Sequence, residues 1–451
     1  MASDDRPSTR SRADLRAGQL VALHRLLGRI VPANPFQRRR LAAAGLEAGS
    51  LKDLQDFYTR APFTTKPELA RDQEEHPPFG SNLTHPLEAY TRLHQTSGTS
   101  GRPLRWLDTP ESWEWLLGNW AEVYRAADVT RADRVYFAFS FGPFIGFWMA
   151  FEAAEALGLL CIPGGGQSTV GRLRGILDLG ATVLCCTPTY ALHLAEMATR
   201  EGMNLGRSKV RRIIVAGEPG GSIPATRARL EAAWPGARVV DHHGMTEVGP
   251  VTYECPARPG RLHLIETGYL AEIIDPATGA PSRGQPGELV LTTLGRTGSP
   301  LLRYRTGDLV RPVFAPEAEN TQPCACGRYE LALEGGILGR VDDMVIVRGV
   351  NVFPGAVEAV IRRFPEVAEY QVAIRDTGGL TELVVRVEPT ADCADLGGLV
   401  RRIDAAFREA FSLRVPVLAV PPESLPRFEL KARRWVREGT RPPDYFTPEL
   451  G

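Results

Sequence analysis

Thr96-Ser97-Gly98-Thr99-Ser100-Gly101-Arg102-Pro103 is the stretch around which the chain is read. Four hydroxyls, two glycines and one guanidinium stand in these eight residues. The glycines let the backbone turn tightly and leave amide N–H groups uncovered. Successive bare amides make a concave anion site, and hydroxyl donors add to it, so a polyphosphate is the natural guest. The same composition also suits a flexible linker. The flanks favour a held loop, because Tyr90-Thr91-Arg92-Leu93-His94 before it and Leu104-Arg105-Trp106-Leu107 after it both read as strands. No lysine follows Gly101, so this is not the Gly-x-x-x-x-Gly-Lys-Ser/Thr phosphate loop.

With 451 residues the chain exceeds one core, and two or three domains are expected. Lys plus Arg equals Asp plus Glu at 53 each, which points to neither nucleic acid nor a membrane surface as partner. No apolar run is long enough for a membrane-spanning helix, and no apolar signal region follows Met1-Ala2-Ser3-Asp4. Seven cysteines, an odd and modest number, fit a reducing compartment better than a disulfide framework. A cytoplasmic protein is therefore expected.

Beyond the loop, strand and helix patterns alternate. Pro110 to Asp128 reads as a helix with Trp113, Leu116, Leu117, Trp120 and Tyr124 toward a core. Strands are expected over 134–139, 159–163, 182–187 and 210–216, with helices ending near Leu157, Leu179 and Glu201. This order argues for a parallel sheet with helices on both faces. Cys185 and Cys186 then fall on opposite faces as buried apolar residues. Tyr136, Phe141, Gly142 and Pro143, with Gly164 and Gly165 after the next strand, place glycines beside aromatics. That pattern leaves a slot for a flat ligand, or else packs densely at a turn. Gly217-Glu218-Pro219 ends a strand, where ligands of open α/β sheets bind. His242 and His243 are adjacent, and neighbours on a strand point apart, which argues against a shared metal. Cys255, His263, Cys324 and Cys326 offer two pairs of nitrogen and sulfur ligands suited to tetrahedral zinc, or are four unrelated residues. The Cys-x-Cys spacing is tighter than the usual Cys-x2-Cys, and Gly327 permits a tight knuckle.

Taken in order, these segments resemble the adenylate-forming superfamily of acyl-CoA synthetases, aryl-CoA ligases and adenylation domains, nearest its phenylacetate–CoA ligase branch. The resemblance runs from about Leu51 to Arg434. Thr96 to Pro103 is similar to the family's phosphate loop. His243-Gly244-Met245-Thr246-Glu247 resembles its aromatic-Gly-x-Thr-Glu segment, with histidine where tyrosine is usual. Tyr304-Arg305-Thr306-Gly307-Asp308 resembles its Tyr-Arg-Thr-Gly-Asp, and Gly339 to Gly349 its hinge and the first strand of a mobile domain. Pro426 to Arg434 resembles the loop of its catalytic lysine, with Phe428 and Leu430 where glycine or serine is usual.

The resemblance implies an α/β fold: a large N-terminal domain, 1–339, of mixed sheets with flanking helices, and a small mobile α+β domain, 340–451. It implies ATP contacts from Thr96, Ser97, Gly98, Thr99, Ser100, Gly101, Gly217, Glu218, Pro219, His243, Asp308 and Arg340. Asp308 would hold the ribose, since a carboxylate can accept two hydrogen bonds from a vicinal diol. Thr246 would contact phosphate and Glu247 would hold magnesium, which needs few protein oxygens. Tyr136, Phe141, Gly142, Pro143, Gly164, Gly165, His243 and Gly244 would line the acyl pocket, and Asp342 would be the hinge. Some members of the branch carry a comparable Cys/His set with zinc, whose four protein ligands would make its role structural.

The activity so implied has two half-reactions. A carboxylate oxygen of a small-molecule acid, expected to be aromatic, attacks the α-phosphorus of ATP and expels pyrophosphate. Lys431 would stabilise the growing charge. A thiol, that of coenzyme A, then attacks the acyl carbon and releases AMP. Other acceptors fit the same motifs: a carrier-protein thiol, an amine, or nitrite-derived chemistry leading to diazo formation. A non-catalytic nucleotide-binding homologue or a zinc-stabilised scaffold would need the motifs to be idle. The resemblance allows a homodimer and leaves the oligomeric state and the acid open.

Overall fold

The computed structural model of the chain describes residues 11–47, 49–96, 103–318, 322–347, 350–377, 380–428 and 432–438. Two compact units divide between Asp342 and Asp343.

The first unit is built on a five-stranded parallel sheet. Its spatial order is Leu160–Pro163, Arg134–Phe137, Val183–Cys186, Arg212–Val215, Arg238–Asp241. The period-two alternation of these short apolar strands feeds two cores. Val135, Phe137, Val183, Cys185, Ile214 and Val240 enter one, with helices Pro110–Ala126 and Ile145–Ala156. Tyr136, Leu184, Cys186, Ile213, Val215 and Val239 enter the other, with helices Thr169–Asp178, Pro188–Arg200 and Pro224–Ala233. Cys185 and Cys186 thus sit on opposite faces, as their adjacency requires. Prolines open three of these helices at a position whose N–H has no partner inside the helix. The strand expected to reach Phe139 ends at Phe137. One further N–H, from Ala138 to the Cys185 carbonyl at 3.0 Å, precedes the bend away from the sheet.

A six-stranded antiparallel sheet completes the unit, in the order Thr252–Glu254, Arg261–Leu264, Ala332–Arg340, Tyr304–Pro312, Gly287–Thr293, Tyr269–Ile274. Its register sets Asp308 directly opposite Arg340. The strands Arg92–Gln95 and Arg105–Asp108 form a separate antiparallel pair. No helix among the described residues is long and apolar enough to cross a membrane.

The second unit holds a hairpin, Val345–Val347 with Val350–Val352, and a four-stranded sheet in the order Val417–Ala419, Leu380–Pro389, Val367–Thr377, Trp435–Arg437. Helices Pro354–Ile361 and Leu396–Phe411 close its own core around Val372, Val385, Ile403 and Phe407.

Candidate active site

Parallel strands present all their carboxyl ends on one edge, and Gly217-Glu218-Pro219 and His243 follow two of those ends. Past Asp241 the two histidines part. His242 turns inward against Trp120, with ring centroids 4.0 Å apart, and burial pushes its pKa down to about 3. His243 faces the other way, its Nε2 lying 3.0 Å from Asp308 Oδ2. The two atoms lack the alignment of a hydrogen bond, and both are buried polar atoms without a hydrogen-bond partner. Asp308 Oδ1 accepts from Arg340 Nη1 at 3.2 Å. Arg340 also grips Asp342, with Nε and Nη2 donating to its two carboxylate oxygens at 2.8 and 3.0 Å. The expected hinge residue is thereby tied through Arg340 to Asp308. Gly307 has φ +78°, and a Cβ there would lie 2.9 Å from Arg340 Nη2, so only glycine leaves the guanidinium its place.

Glu247 is buried, with Tyr304 Oη 3.5 Å and Lys66 Nζ 3.6 Å from its Oε1. Burial first, and the Glu247 charge second, hold the Tyr304 phenol well above its ordinary range. A fully buried pair fixes the backbone here. Arg296 donates Nε and Nη2 to the two oxygens of Asp108 at 2.7 and 2.6 Å. Its Nη1 reaches the carbonyls of Thr246 and Glu247 at 2.9 and 2.8 Å. Lys66 is brought in because Thr64 pairs with Tyr304 at the start of the strand Tyr304–Pro312: its N–H donates to the Arg303 carbonyl and its carbonyl accepts from the Arg305 N–H. Thr65 then caps the helix Lys66–Glu75. Arg296 and Asp108 were not singled out from the sequence, and their only signal was that each charge stands beside a turn or a strand end. Lys66 lies in Phe63 to Leu69, which resembles the family's lead-in to the phosphate loop, but its approach to Glu247 was not expected.

The Gly217-Glu218-Pro219 turn is held from two sides. Glu218 Oε1 accepts the Thr189 N–H at 2.8 Å, and Asp241 Oδ2 accepts from Ser222 at 2.5 Å. Burial pushes the Asp241 carboxyl up to about 6, against the Ser222 hydrogen bond and the Arg227 charge. Of the opening loop, Thr96 closes the base: its N–H donates to the Leu104 carbonyl and its hydroxyl accepts from the Leu104 N–H, both at 3.0 Å. Ser97, Gly98, Thr99, Ser100 and Gly101 lie outside the described residues, as does Lys431.

The aromatic residues cluster at the end of the strand Arg134–Phe137. Phe139 stacks on Phe147 at 4.3 Å, and Phe141 meets Trp148 at 4.8 Å and Phe151 at 5.5 Å. The Gly142 carbonyl accepts the Trp148 indole N–H at 2.8 Å, and the Pro143 carbonyl accepts the Gln95 N–H at 2.9 Å. Tyr136 does not open onto this cluster. It is wholly buried in the core of the opposite face, beneath Gly164 and Gly175, where a Cβ would meet its ring at 2.7 and 3.0 Å. Gly164 is therefore needed for packing over Tyr136, and Gly244 for the close approach of Gly249 where Gly244–Met245 pairs with Gly249–Pro250. A Cβ at Gly165 would touch Phe141 at 3.4 Å. The helix Ile145–Ala156, which carries Phe147, Trp148 and Phe151, packs close to Gly244–Met245, the residues that follow His243.

Cys255, His263, Cys324 and Cys326 converge, their ligand atoms all within 4.8 Å of one another. Cys255 Sγ is 3.6 Å from Cys324 Sγ, and Cys326 Sγ is 3.4 Å from His263 Nε2. Metal–ligand bonds of about 2.0–2.3 Å at tetrahedral angles separate ligands by roughly 3.4–3.8 Å, which these pairs match. His263 Nδ1 lies 3.2 Å from the Glu330 carbonyl, which fixes the ring and turns Nε2 inward. Gly327, at φ +81°, closes the knuckle by donating to the Cys324 carbonyl at 2.7 Å.

Family models for the AMP-binding enzyme match residues 54–295, and for the AMP-binding enzyme C-terminal domain residues 349–438. The phenylacetate-coenzyme A ligase of Thermus thermophilus is 34% identical over 442 residues, covering 93% of this chain and 96% of that protein. The protein of the same name from Escherichia coli K12 is 32% identical over 440 residues, covering 94% and 95%. A crystal structure of 2-hydroxyisobutyryl-CoA ligase in complex with 2-HIB-AMP superposes with a TM-score of 0.90 at 28% identity, covering 97% of this chain and 94% of that one.

Proposed function

Because this chain belongs to the AMP-binding enzymes, among the AMP-forming acid–thiol ligases, we propose that its acid is aromatic and that the residues above divide the work as follows. The reaction class is ATP-dependent adenylation of a carboxylic acid followed by transfer to coenzyme A. The acid's oxygen bonds to the α-phosphorus as pyrophosphate leaves with the electrons of the broken bond. The thiolate of coenzyme A then bonds to the acyl carbon, and AMP leaves. A mixed anhydride is already activated, so no protein nucleophile is required.

Asp308 Oδ2 is the observation that carries the nucleotide assignment. A buried carboxylate oxygen without a donor is costly, and a ribose diol supplies the missing hydrogen bonds. His243, whose Nε2 also makes no hydrogen bond, would flank the adenine, and Arg340 would hold Asp308 toward the sugar. Glu247 would hold magnesium, whose chemistry is to neutralise phosphate charge, and Thr246 would contact phosphate. Tyr304 and Lys66 keep Glu247 oriented. Lys431 and the amides of Thr96 to Gly101 would stabilise charge developing on the phosphoryl oxygens. Cys255, His263, Cys324 and Cys326 would hold zinc with no open position, pinning the segment after Glu254 to the connection before Ala332.

The Phe139, Phe141, Phe147, Trp148 and Phe151 cluster supports an aromatic acid, since flat rings pack edge and face against such walls. Pyrophosphate exchange across benzoates, arylacetates and short and long aliphatic acids tests it, with thioester formation read by adding coenzyme A. Exchange fastest with aryl acids is expected. Fastest exchange with aliphatic acids would overturn the aromatic assignment.

A further inference from the structure

Three rings of the aromatic cluster, Phe147, Trp148 and Phe151, stand on the helix Ile145–Ala156. Its other side chains are small or apolar, save for two glutamates. Glu155 is exposed, whereas the side chain of Glu152 is only 20% exposed. Glu152 stands one turn beyond Trp148 on the same helix face, and next to Phe151 in the chain. A carboxylate so covered needs donors. Arg92 supplies two, Nη1 to Oε1 and Nη2 to Oε2, both at 2.8 Å. Trp113 supplies a third, its indole N–H reaching Oε2 at 2.8 Å. Arg92 belongs to the strand Arg92–Gln95 and Trp113 to the helix Pro110–Ala126. One carboxylate thus ties the helix of the aromatic wall to a strand and to a second helix.

The donors are themselves fixed. The Arg92 guanidinium lies 4.3 Å over the Trp113 ring, and His94 stacks on the same indole at 5.1 Å and 9°. Trp113 and His94 are buried. A two-point fork between guanidinium and carboxylate sets direction as well as place. The same strand also holds the other part of the wall. The Gln95 N–H donates to the Pro143 carbonyl at 2.9 Å, and the Trp148 indole donates to the Gly142 carbonyl at 2.8 Å. Phe141, next to Gly142, meets Trp148 and Phe151 ring to ring. Both partners in those ring contacts are therefore anchored to the strand Arg92–Gln95. Burial of apolar area is indifferent to the tilt of a ring, but edge and face contacts between aromatic rings are not. A wall whose rings rocked would still cover an acid's ring. It would lose the geometry that separates a flat ring from a saturated one.

We propose that Arg92 and Glu152, joined by Trp113, are positioning residues that hold the aromatic wall rigid and so set the preference for an aryl acid over its ring-saturated counterpart. This rests on the reading of the aromatic cluster as the wall of the acid's site. The ion pair acts from behind that wall, through the helix that carries the rings.

The test uses the full chain as wild type, Arg92→Lys, Phe141→Ala and the double variant Arg92→Met with Glu152→Gln. The double variant leaves no unpaired charge, and the glutamine oxygen can still accept from Trp113. The pair is partly exposed, so the double variant should unfold near the wild-type urea midpoint. Pyrophosphate exchange is measured with the aryl acid that the wild type exchanges fastest and with its ring-saturated counterpart, as phenylacetate against cyclohexylacetate. The quantity read is the ratio of their kcat/KM values, with the KM for ATP alongside. The wild type is expected to favour the aryl acid, and the double variant to lower that ratio about fivefold, with the KM for ATP within about twofold. Arg92→Lys, which keeps the charge without the fork, should fall between. Phe141→Ala should raise the KM for the aryl acid about tenfold. A wild-type ratio in the double variant, with Phe141→Ala impaired, would overturn the positioning role and leave the wall reading standing. Equal rises in KM for both acids and for ATP, at an unchanged ratio, would make the pair merely structural and overturn it too. A wild type that favours the saturated acid, or a Phe141→Ala variant with unchanged KM for the aryl acid, would remove the wall reading and this inference with it.

Discussion

Removing Arg296 should disable Glu247 without touching it. The pair Arg296–Asp108 is fully buried, and its guanidinium also holds two carbonyls of the Thr246–Glu247 backbone. Arg296→Met leaves the Asp108 carboxylate buried and uncompensated, at about 3–5 kcal/mol. It also strips donors from two carbonyl oxygens, at about 1–3 kcal/mol each if these stay dry. The sum, roughly 5–11 kcal/mol, approaches the whole stability of a typical domain. The informative variant is therefore Asp108→Leu with Arg296→Met. Apolar replacement of a buried pair is often neutral, so this double variant should recover roughly 3–5 kcal/mol over the single one. Its Glu247 nevertheless stays unpinned. Pyrophosphate exchange should fall about 10²-fold, and half-maximal exchange should need more magnesium. Urea unfolding reports the recovery, and exchange over a magnesium series reports the defect. A double variant that unfolds like the wild type and exchanges at its rate, with unchanged magnesium dependence, would refute the positioning role.

Glu247→Gln, which keeps shape and loses charge, should slow adenylation about 10²–10³-fold with little change in unfolding midpoint, as measured by the same two assays. The purified protein should carry one equivalent of zinc by elemental analysis. Cys324→Ser should lose that zinc and lower the melting temperature, with the Mg–ATP dependence of residual exchange unchanged. Burial pushes His94 down to about 4, so between about 6.5 and 4 the unfolded chain binds a proton that the folded chain does not. Stability from this group is present above 6.5 and is lost as pH falls toward 4. His94→Phe, which keeps the stack on Trp113 at 5.1 Å, should therefore lose less stability than the wild type between pH 6.5 and 4.5 in urea titrations.

The parallel sheet was legible because its strands and helices carry their own periodicity, and the order of the motifs followed from the chain alone. Asp308, Glu247 and His243 were singled out through the resemblance to a family, and the Cys/His set as residue types suited to zinc. Tyr136 was not: at the end of a strand, parity says that it faces away from Phe137, but not that Gly164 and Gly175 seal it into the core. That Arg296, Asp108 and Lys66 gather around Glu247 could not be read either. Arg296 and Asp108 are 188 residues apart, and Lys66 reaches Glu247 from another part of the chain altogether. In a sequence, a lone arginine or aspartate has water as its default surroundings. Only tertiary structure shows that it is buried and which distant group neutralises it. For the same reason, Glu369 and Glu388 meet on one rung only once the register of their strands is set.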